Sequence, residues 1–528
     1  MAVLDAFNVA MSTTTLYLFV TALLLLFAYD FWCHTYFWRK GIPCPTPLPI
    51  FGNIIALGNK KFHETITGMS EKYGPVMGLY LWREPVIMVT DVELLRKILI
   101  KDFGKFYNRR ELPVSSGEFD TALFNLRDAQ WKRVRDILTP TFTGRKMKMM
   151  SGIVNSCADT MMDNVQKACA KDGTVQCRDL FGGFVMDTVA SCAFGLQVKS
   201  QTQPDEPFVN HAKKFFQISF TTPVFALVSF LPFMAPVVKF LGFTLFPKET
   251  IKFFTEVIDK TIALRKSGHG THDVDFLQLL IDAQDGKNIH VIENDEDDQH
   301  NQLFVGSDEG KNSITPATRG RLTRSEVIGQ AVTFLSAGYE TTTTALTLGS
   351  YLLARNPQAQ DKLIAEIDKL APNRDDVDYT KVSTMPYLDQ VMCEILRYYP
   401  PATSVDRMCG ETVTYKGVTI ERGVGVVISP YIMHHSSGYW PEPSKFDPDR
   451  FSKENREKRD PFTWMPFGAG PRICVGMRFA LMEAKMALVR VLQKARFETC
   501  PLTEIPPKLG TSGLLSPPNG VTLKLVAR

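Results

Sequence analysis

No cysteine pair of the form C-x-x-C occurs in the chain, although ten cysteines lie among its 528 residues. Their spacings show no framework. That argues against a disulfide scaffold and a cysteine zinc site, and it fits a reducing, cytosol-facing compartment. Charge of one sign is also lacking: 60 Lys and Arg against 56 Asp and Glu leave a formal net charge of +4. So small an excess excludes a nucleic-acid binder of the strongly basic kind. There is no P-loop and no G-x-G-x-x-G opening a βαβ unit, so no flavin or nicotinamide domain is built in. Internal repeats and low-complexity bulk are missing as well. With 45% hydrophobic and 22% charged residues, the composition is that of an ordinary globular protein.

One absence is local. No charge occurs between Asp5 and Asp30, and Leu16 to Tyr29 is strongly apolar. Such a stretch suffices to cross a hydrocarbon core of roughly 30 Å at about 1.5 Å per residue. Trp32, Tyr36, Phe37 and Trp38 follow where an interface is expected, then Arg39 and Lys40. Aromatic and then basic residues on this side predict a cytosolic body. A cleaved signal peptide is the other reading, but the leading segment is acidic rather than basic. Residues 1–40 are therefore read as a membrane anchor. Residues 41–50 contain G-I-P-C-P-T-P-L-P and form a stiff, proline-rich strap. Residues 51–528 form the body.

Two β-like runs, Val76 to Leu81 and Pro85 to Val89, predict a small antiparallel unit. From there to about residue 400 the pattern is mainly helical. The polar, at first acidic stretch 288–321 shows no sustained periodicity and is read as a flexible linker between two helices. Residues 208–246 are rich in Phe and punctuated by Pro223, Pro232 and Pro236. That pattern fits ordinary core, and equally short helices dipping into a membrane surface.

The C-terminal portion reads F-G-A-G-P-R-I-C-V-G from Phe467 to Gly476. A loop rich in Gly and Pro brings backbone close to something flat. Cys474 then opens a run with helical periodicity, Val475 to Ala495. A cysteine at a helix N-terminus feels the positive end of the dipole, which favours thiolate. A thiolate axial ligand pushes electron density onto haem iron and favours O–O cleavage. Gly468 and Gly476 fit clearance for the macrocycle or the neighbouring backbone. Arg472, two residues before the sulfur, has the reach to hold a propionate.

Thr323 to Arg355 predicts one long helix, begun by the capping box Thr323-x-x-Glu326 and ended by Asn356-Pro357. At its centre stand Ala337-Gly338-Tyr339-Glu340-Thr341 and three further threonines. This is poor helix-forming material, and a local bulge with a free carbonyl is expected there. Reduced dioxygen needs protons in an otherwise apolar pocket. An alcohol beside a carboxyl can position water and relay them. Thr341 is the candidate alcohol and Glu340 the candidate acid.

The string F-G-x-G-x-R-x-C-x-G resembles the haem-binding signature of the cytochrome P450 superfamily, and the A-G-x-E/D-T stretch resembles its oxygen-activation motif. Family 3, with its thromboxane-synthase relatives, is the most similar branch. The resemblance covers essentially the whole chain. It implies a mainly α fold with small β-sheets, and haem b held by the Cys474 thiolate. Trp131-x-x-x-Arg135 is similar to the family's propionate-binding helix, and Arg109 and Arg407 occupy positions resembling further propionate contacts. Phe467 opens the haem loop. Glu394-x-x-Arg397, with Arg450 of Pro448-Asp449-Arg450-Phe451 as third partner, resembles the network behind the haem.

The resemblance implies monooxygenation of a lipophilic substrate with electrons from NADPH. They would arrive through the separate cytochrome P450 reductase, with cytochrome b5 as a second donor, at the endoplasmic reticulum membrane. Basic residues Lys132, Arg133, Arg145, Lys146, Lys148 and Arg456 to Arg459 are either a solvated face or a surface for that acidic donor. By analogy, pocket positions include 115–119, 215–225, Phe334, Ala337, 402–405 and 512–515. A peroxide isomerase of the thromboxane-synthase type would share the cysteine motif, but the retained Glu340-Thr341 pair favours the monooxygenase. A haem sensor or electron carrier would need neither that pair nor a lipophilic pocket.

Overall fold

The computed structural model describes residues 13–58, 62–111, 114, 117–203, 205–216, 224, 227–228, 231–244, 246–267, 275–286, 320–510 and 514–528. The predicted linker falls almost wholly outside these residues, as do most of 217–230 and positions 115, 116 and 511–513. The architecture is mainly α with small sheets. Helix α1 (Thr13–His34) is the apolar segment, and 21 of its residues, Thr14–His34, are long and apolar enough to cross a membrane.

The two predicted strands pair as an antiparallel hairpin, β1 (Val76–Leu81) and β2 (Glu84–Val89), with Val76 opposite Val89. Two later strands complete the sheet: β3 (Val405–Met408) and β4 (Gly425–Ile428), in the order β1-β2-β4-β3. The β2–β4 pair is parallel, a long-range pairing that hydrophobic alternation does not reveal. In β3, Arg407 lies opposite Val426, so this sheet delivers an arginine toward the interior.

The helical body has one large core. Helix α2 (Asp128–Leu138) carries Trp131 and Arg135, and α3 (Gly144–Cys169) and α4 (Cys177–Phe194) pack behind it. The long helix α5 (Arg324–Arg355) runs through the middle. The Thr323 hydroxyl accepts from the Glu326 N–H at 3.2 Å and the Glu326 carboxylate accepts from the Thr323 N–H at 2.9 Å. Both halves of the predicted capping box are therefore made. The expected bulge is not: α5 is α-helical throughout. Gly338 serves a different purpose. A Cβ there would lie 3.1 Å from Val189 Cγ2, so the glycine lets α4 and α5 approach closely.

The Phe-rich stretch divides. Phe208 and Phe246 are buried, whereas Phe233 and Phe240 are 70% and 90% exposed, with Leu241 and Phe243 exposed beside them. Val228 and Val238 are buried as well, so among the described residues the exposed apolar side chains are interleaved with buried ones. Phe37, expected at a membrane interface, is fully buried in the body. The ten cysteines are all unpaired.

Candidate active site

Helix α6 (Pro386–Tyr398) and helix α7 (Met477–Leu492) frame the cysteine loop. Glu394 and Arg397 sit one turn apart on α6, both fully buried, with Arg397 Nε to Glu394 Oε2 at 2.7 Å and Nη2 to Oε1 at 2.9 Å. Arg450 Nε lies 3.6 Å from Glu394 Oε1, and the Asp447 N–H donates to the same oxygen at 2.9 Å. The pair also holds the chain leading into the loop: Arg397 Nη1 donates to the His434 carbonyl at 2.9 Å, and His434 Nε2 accepts from the Met465 N–H at 3.0 Å. Burial keeps the His434 ring neutral by pushing its pKa well below the ordinary value, which preserves that acceptor.

The loop folds on itself, the Cys474 N–H donating to the Phe467 carbonyl at 3.0 Å. Gly470 has φ +75°, and a Cβ there would lie 2.1 Å from the Leu99 carbonyl oxygen, so only glycine fits. Helix α7 starts at Met477, with Gly476 as N-cap, later than the sequence pattern implies. Cys474 therefore precedes the first turn rather than opening it. Its sulfur is open to an internal cavity while protein surrounds it. Burial raises its pKa; hydrogen bonding from the Gly476 backbone and the charges of Arg135 and Arg109 oppose that and favour thiolate.

The cavity has a volume of about 460 Å³ and is mostly apolar. Cys474, Phe467, Arg472, Trp131, Arg135, Arg407, Arg109 and Thr341 all line it. Among the described residues, none of these four arginines forms a salt bridge. Arg472 donates to the carbonyls of Tyr107 at 2.7 Å and Leu126 at 3.0 Å, and its guanidinium lies 4.2 Å over the Trp131 ring. Arg407 donates to the Asp406 carbonyl at 2.7 Å, while its Nε and that of Arg109 are buried without a hydrogen-bond partner. Burial, and secondarily Arg109, lower the pKa of both Arg407 and Arg472 to about 9. Such crowded positive charge beside an apolar slot calls for an anionic, flat ligand, and a porphyrin with two propionates fits both demands.

Glu340 is not in this lining. It sits on the other side of α5, facing a second, more polar cavity of about 720 Å³. Arg178 of α4 holds it with two contacts from Nη2, at 2.8 and 2.9 Å. Thr341 donates to the Ala337 carbonyl at 2.7 Å, so the carbonyl expected to be free is occupied by the hydroxyl one turn on. The adjacent pair thus faces two cavities across one helix.

Of the pocket positions taken by analogy, Phe334, Ala337, Ala402, Ser404, Val405 and Leu514 line the haem-side cavity. Phe119 is buried in the core but is not in that lining. Sequence reasoning missed Arg178, Thr342 and Glu483. Glu483 on α7 is fully buried beside Thr342, and burial raises its pKa far above the carboxylate range. A Glu amid Met and Ala on an amphipathic helix gives no sign of this, because burial of that face is set by α5 above it. The proposed donor surface is thinner than its sequence suggests. Arg133 pairs with Glu326, Arg456 with Asp389 at 2.6 Å, and Arg459 stacks 4.0 Å over Trp440.

A sequence profile of the cytochrome P450 family matches residues 42–525. The chain belongs to the cytochrome P450 family. Cytochrome P450 3A29 of Sus scrofa is 39% identical over 520 residues, 98% of this chain and 97% of that protein. Cytochrome P450 3A5 of Homo sapiens is 39% identical over 522 residues, and 3A13 of Mus musculus 38% over 519, each with 98% of this chain and 97% of the relative covered. This cytochrome P450 is accordingly a haem-thiolate monooxygenase of lipophilic substrates, similar to its 3A relatives.

Proposed function

We propose that the Cys474 thiolate would bind the iron of haem b and that Arg109, Arg135, Arg407, Arg472 and Trp131 would hold its propionates. Phe467 closes the cysteine loop through its carbonyl, which accepts from the Cys474 N–H. When bound, the haem supplies activation of dioxygen. The remaining roles belong to the chain. The apolar walls desolvate a lipophilic substrate and exclude bulk water. The Thr341 hydroxyl places water on the substrate side. Glu340 takes protons from the second cavity, with Arg178 holding it until a proton is due. Electrons come from NADPH through a separate reductase, with cytochrome b5 as a second donor. Helix α1 anchors the chain in the endoplasmic reticulum membrane, the body facing the cytosol.

The observation that supports this reading best is the convergence of the Cys474 sulfur, the Thr341 hydroxyl and four arginines, none with a salt bridge among the described residues, on a single apolar cavity. Reduction of the purified protein under carbon monoxide tests the ligand: a red-shifted Soret band is expected, and its absence would remove Cys474 from the iron. Turnover of a lipophilic probe with NADPH and reductase tests the relay. Thr341→Ala and Glu340→Gln should each divert electrons from product to hydrogen peroxide. Product formation unchanged in both variants would discard the pair.

A further inference from the structure

Pro517-Pro518-Asn519-Gly520 is made of turn residues: proline presets φ, and Asn-Gly tolerates a positive one. The structure makes the turn, the Gly520 N–H donating to the Pro517 carbonyl at 2.9 Å. It lies on the start of α4. Gln176, the N-cap of that helix, donates from Nε2 to the Asn519 carbonyl at 2.9 Å and to the Thr522 hydroxyl at 3.5 Å. The Cys177 N–H donates to the Val521 carbonyl at 2.9 Å. Arg178 Nη1 donates to the Pro517 carbonyl at 3.5 Å. Gly520 has φ +67°, and a Cβ there would lie 2.3 Å from Gln176 Oε1 and 3.0 Å from Arg178 Cβ. The turn is thus seated directly on the stems of Gln176 and Arg178, and only glycine permits it.

Arg178 works with its other nitrogen. Nη2 meets both oxygens of Glu340, which is 5% exposed. Gln176, Arg178 and Glu340 all line the second cavity. A guanidinium is a planar, rigid fork, so holding Nη1 and the stem sets where Nη2 points. The Arg178 side chain keeps 25% of its surface exposed, and a long side chain so placed samples other rotamers unless something restrains it. Misplacing one partner of a buried ion pair leaves the other uncompensated, so the seat of Arg178 governs the carboxylate it serves.

The same segment reaches the other cavity. Leu514 lines the haem side, as do Pro401 and Ala402. Leu514 pairs with Ala402 in an antiparallel bridge, and the Leu515 N–H donates to the Pro401 carbonyl at 2.8 Å. Leu515 and Pro517 are buried, so the short run between wall and turn is packed along its length. One end of it is substrate-side wall, and the other is the seat of the arginine that holds the acid.

We propose that Gln176 and the Pro517–Gly520 turn are positioning elements for proton uptake: they fix Arg178 so that its guanidinium meets Glu340, and through Leu514 they tie that geometry to the wall of the haem-side cavity. Gln176 touches neither substrate nor haem cavity and acts through Arg178. This inference rests on the reading of Glu340 as the acid that takes protons from the second cavity.

The test uses the full-length, haem-loaded protein with NADPH, reductase and a benzyloxycoumarin, whose dealkylated product fluoresces. Gln176→Leu should lower product per NADPH severalfold and raise hydrogen peroxide, with KM and the ferrous carbon monoxide band unchanged. The solvent deuterium isotope effect on product formation should grow. Gly520→Ala should act in the same direction. Asn519→Ala should leave every readout unchanged, because the acceptor is its backbone carbonyl. In an Arg178→Gln background, Gln176→Leu should add nothing, since it acts through the missing guanidinium. Unchanged coupling in Gln176→Leu, an additive loss in the Arg178→Gln background, or an equal loss in Asn519→Ala would overturn the proposal. Loss of the carbon monoxide band in both Gln176→Leu and Gly520→Ala would also overturn it, by showing that the turn serves folding alone. If Glu340→Gln itself leaves coupling intact, the acid reading beneath the proposal fails. If Glu340→Gln uncouples and Gln176→Leu does not, only the positioning role fails.

Discussion

Arg407 carries three pressures against its charge. It is 1% exposed, its charge is disfavoured by burial and by Arg109, and one of its nitrogens is unpartnered. A propionate would relieve all three. Arg407→Ala should therefore weaken haem retention by about 2 kcal/mol, the usual worth of a hydrogen bond to a charged group. The rate of haem transfer to a scavenging apoprotein measures it. Glu483 makes the contrary case. Its raised pKa means that the folded state keeps a proton which the unfolded chain releases, so its cost is absent below about pH 4.5 and grows as pH rises. Glu483→Gln should leave stability unchanged in acid and raise it at neutral pH. Denaturant titrations at the two pH values would show this, and a neutral-pH loss would contradict it.

At the scale of elements, the contact of α4 with α5 and the cap of α5 govern how Thr341 and Glu340 are presented. Gly338→Val would push into Val189 on the facing helix. Destabilisation of about 1–3 kcal/mol is expected, as in other overpacked cores, read from the midpoint of thermal unfolding. Thr323→Ala removes the acceptor for the Glu326 N–H and should cost about 1 kcal/mol. The capping box and the antiparallel hairpin were legible because each depends on residues close in sequence. The central defect of α5 was misjudged for a tertiary reason: Gly338 answers to Val189 on another helix, and Thr341 bonds Ala337 without breaking the turn. Likewise the start of α7 is decided by how the loop at Gly470 wraps the Leu99 carbonyl.

The whole molecule should be acid-labile. His63 and His435 have their pKa values lowered to about 4 by burial, and that of His434 is lowered well below its ordinary value. In each case the unfolded chain binds the proton that the folded one refuses. Stability is therefore held above about pH 6.5 and lost as pH falls from there toward 4, by an amount on the order of several kcal/mol for the cluster. A stability profile flat between neutrality and about pH 5 would contradict this, since the unfolded-chain histidines titrate in that interval. Because His434 also anchors Met465, the haem loop should fail in the same pH window, visible as loss of the ferrous carbon monoxide band.

By itself the sequence determined the family and so the reaction class: a Gly-spaced loop around Cys474, an acid and an alcohol on one helix, and an uncharged apolar stretch at the N-terminus are local patterns. They report bonds made within a few residues. Tertiary structure alone decided where those groups point and what faces them. It gathered Arg109, Arg135, Arg407 and Arg472 from four separate segments. It turned Glu340 away from Thr341 toward Arg178, buried Glu483 under α5, and packed Phe37 into the body. Each of these outcomes depends on which surfaces meet across long loops, and burial and electrostatic pairing act through space rather than along the chain.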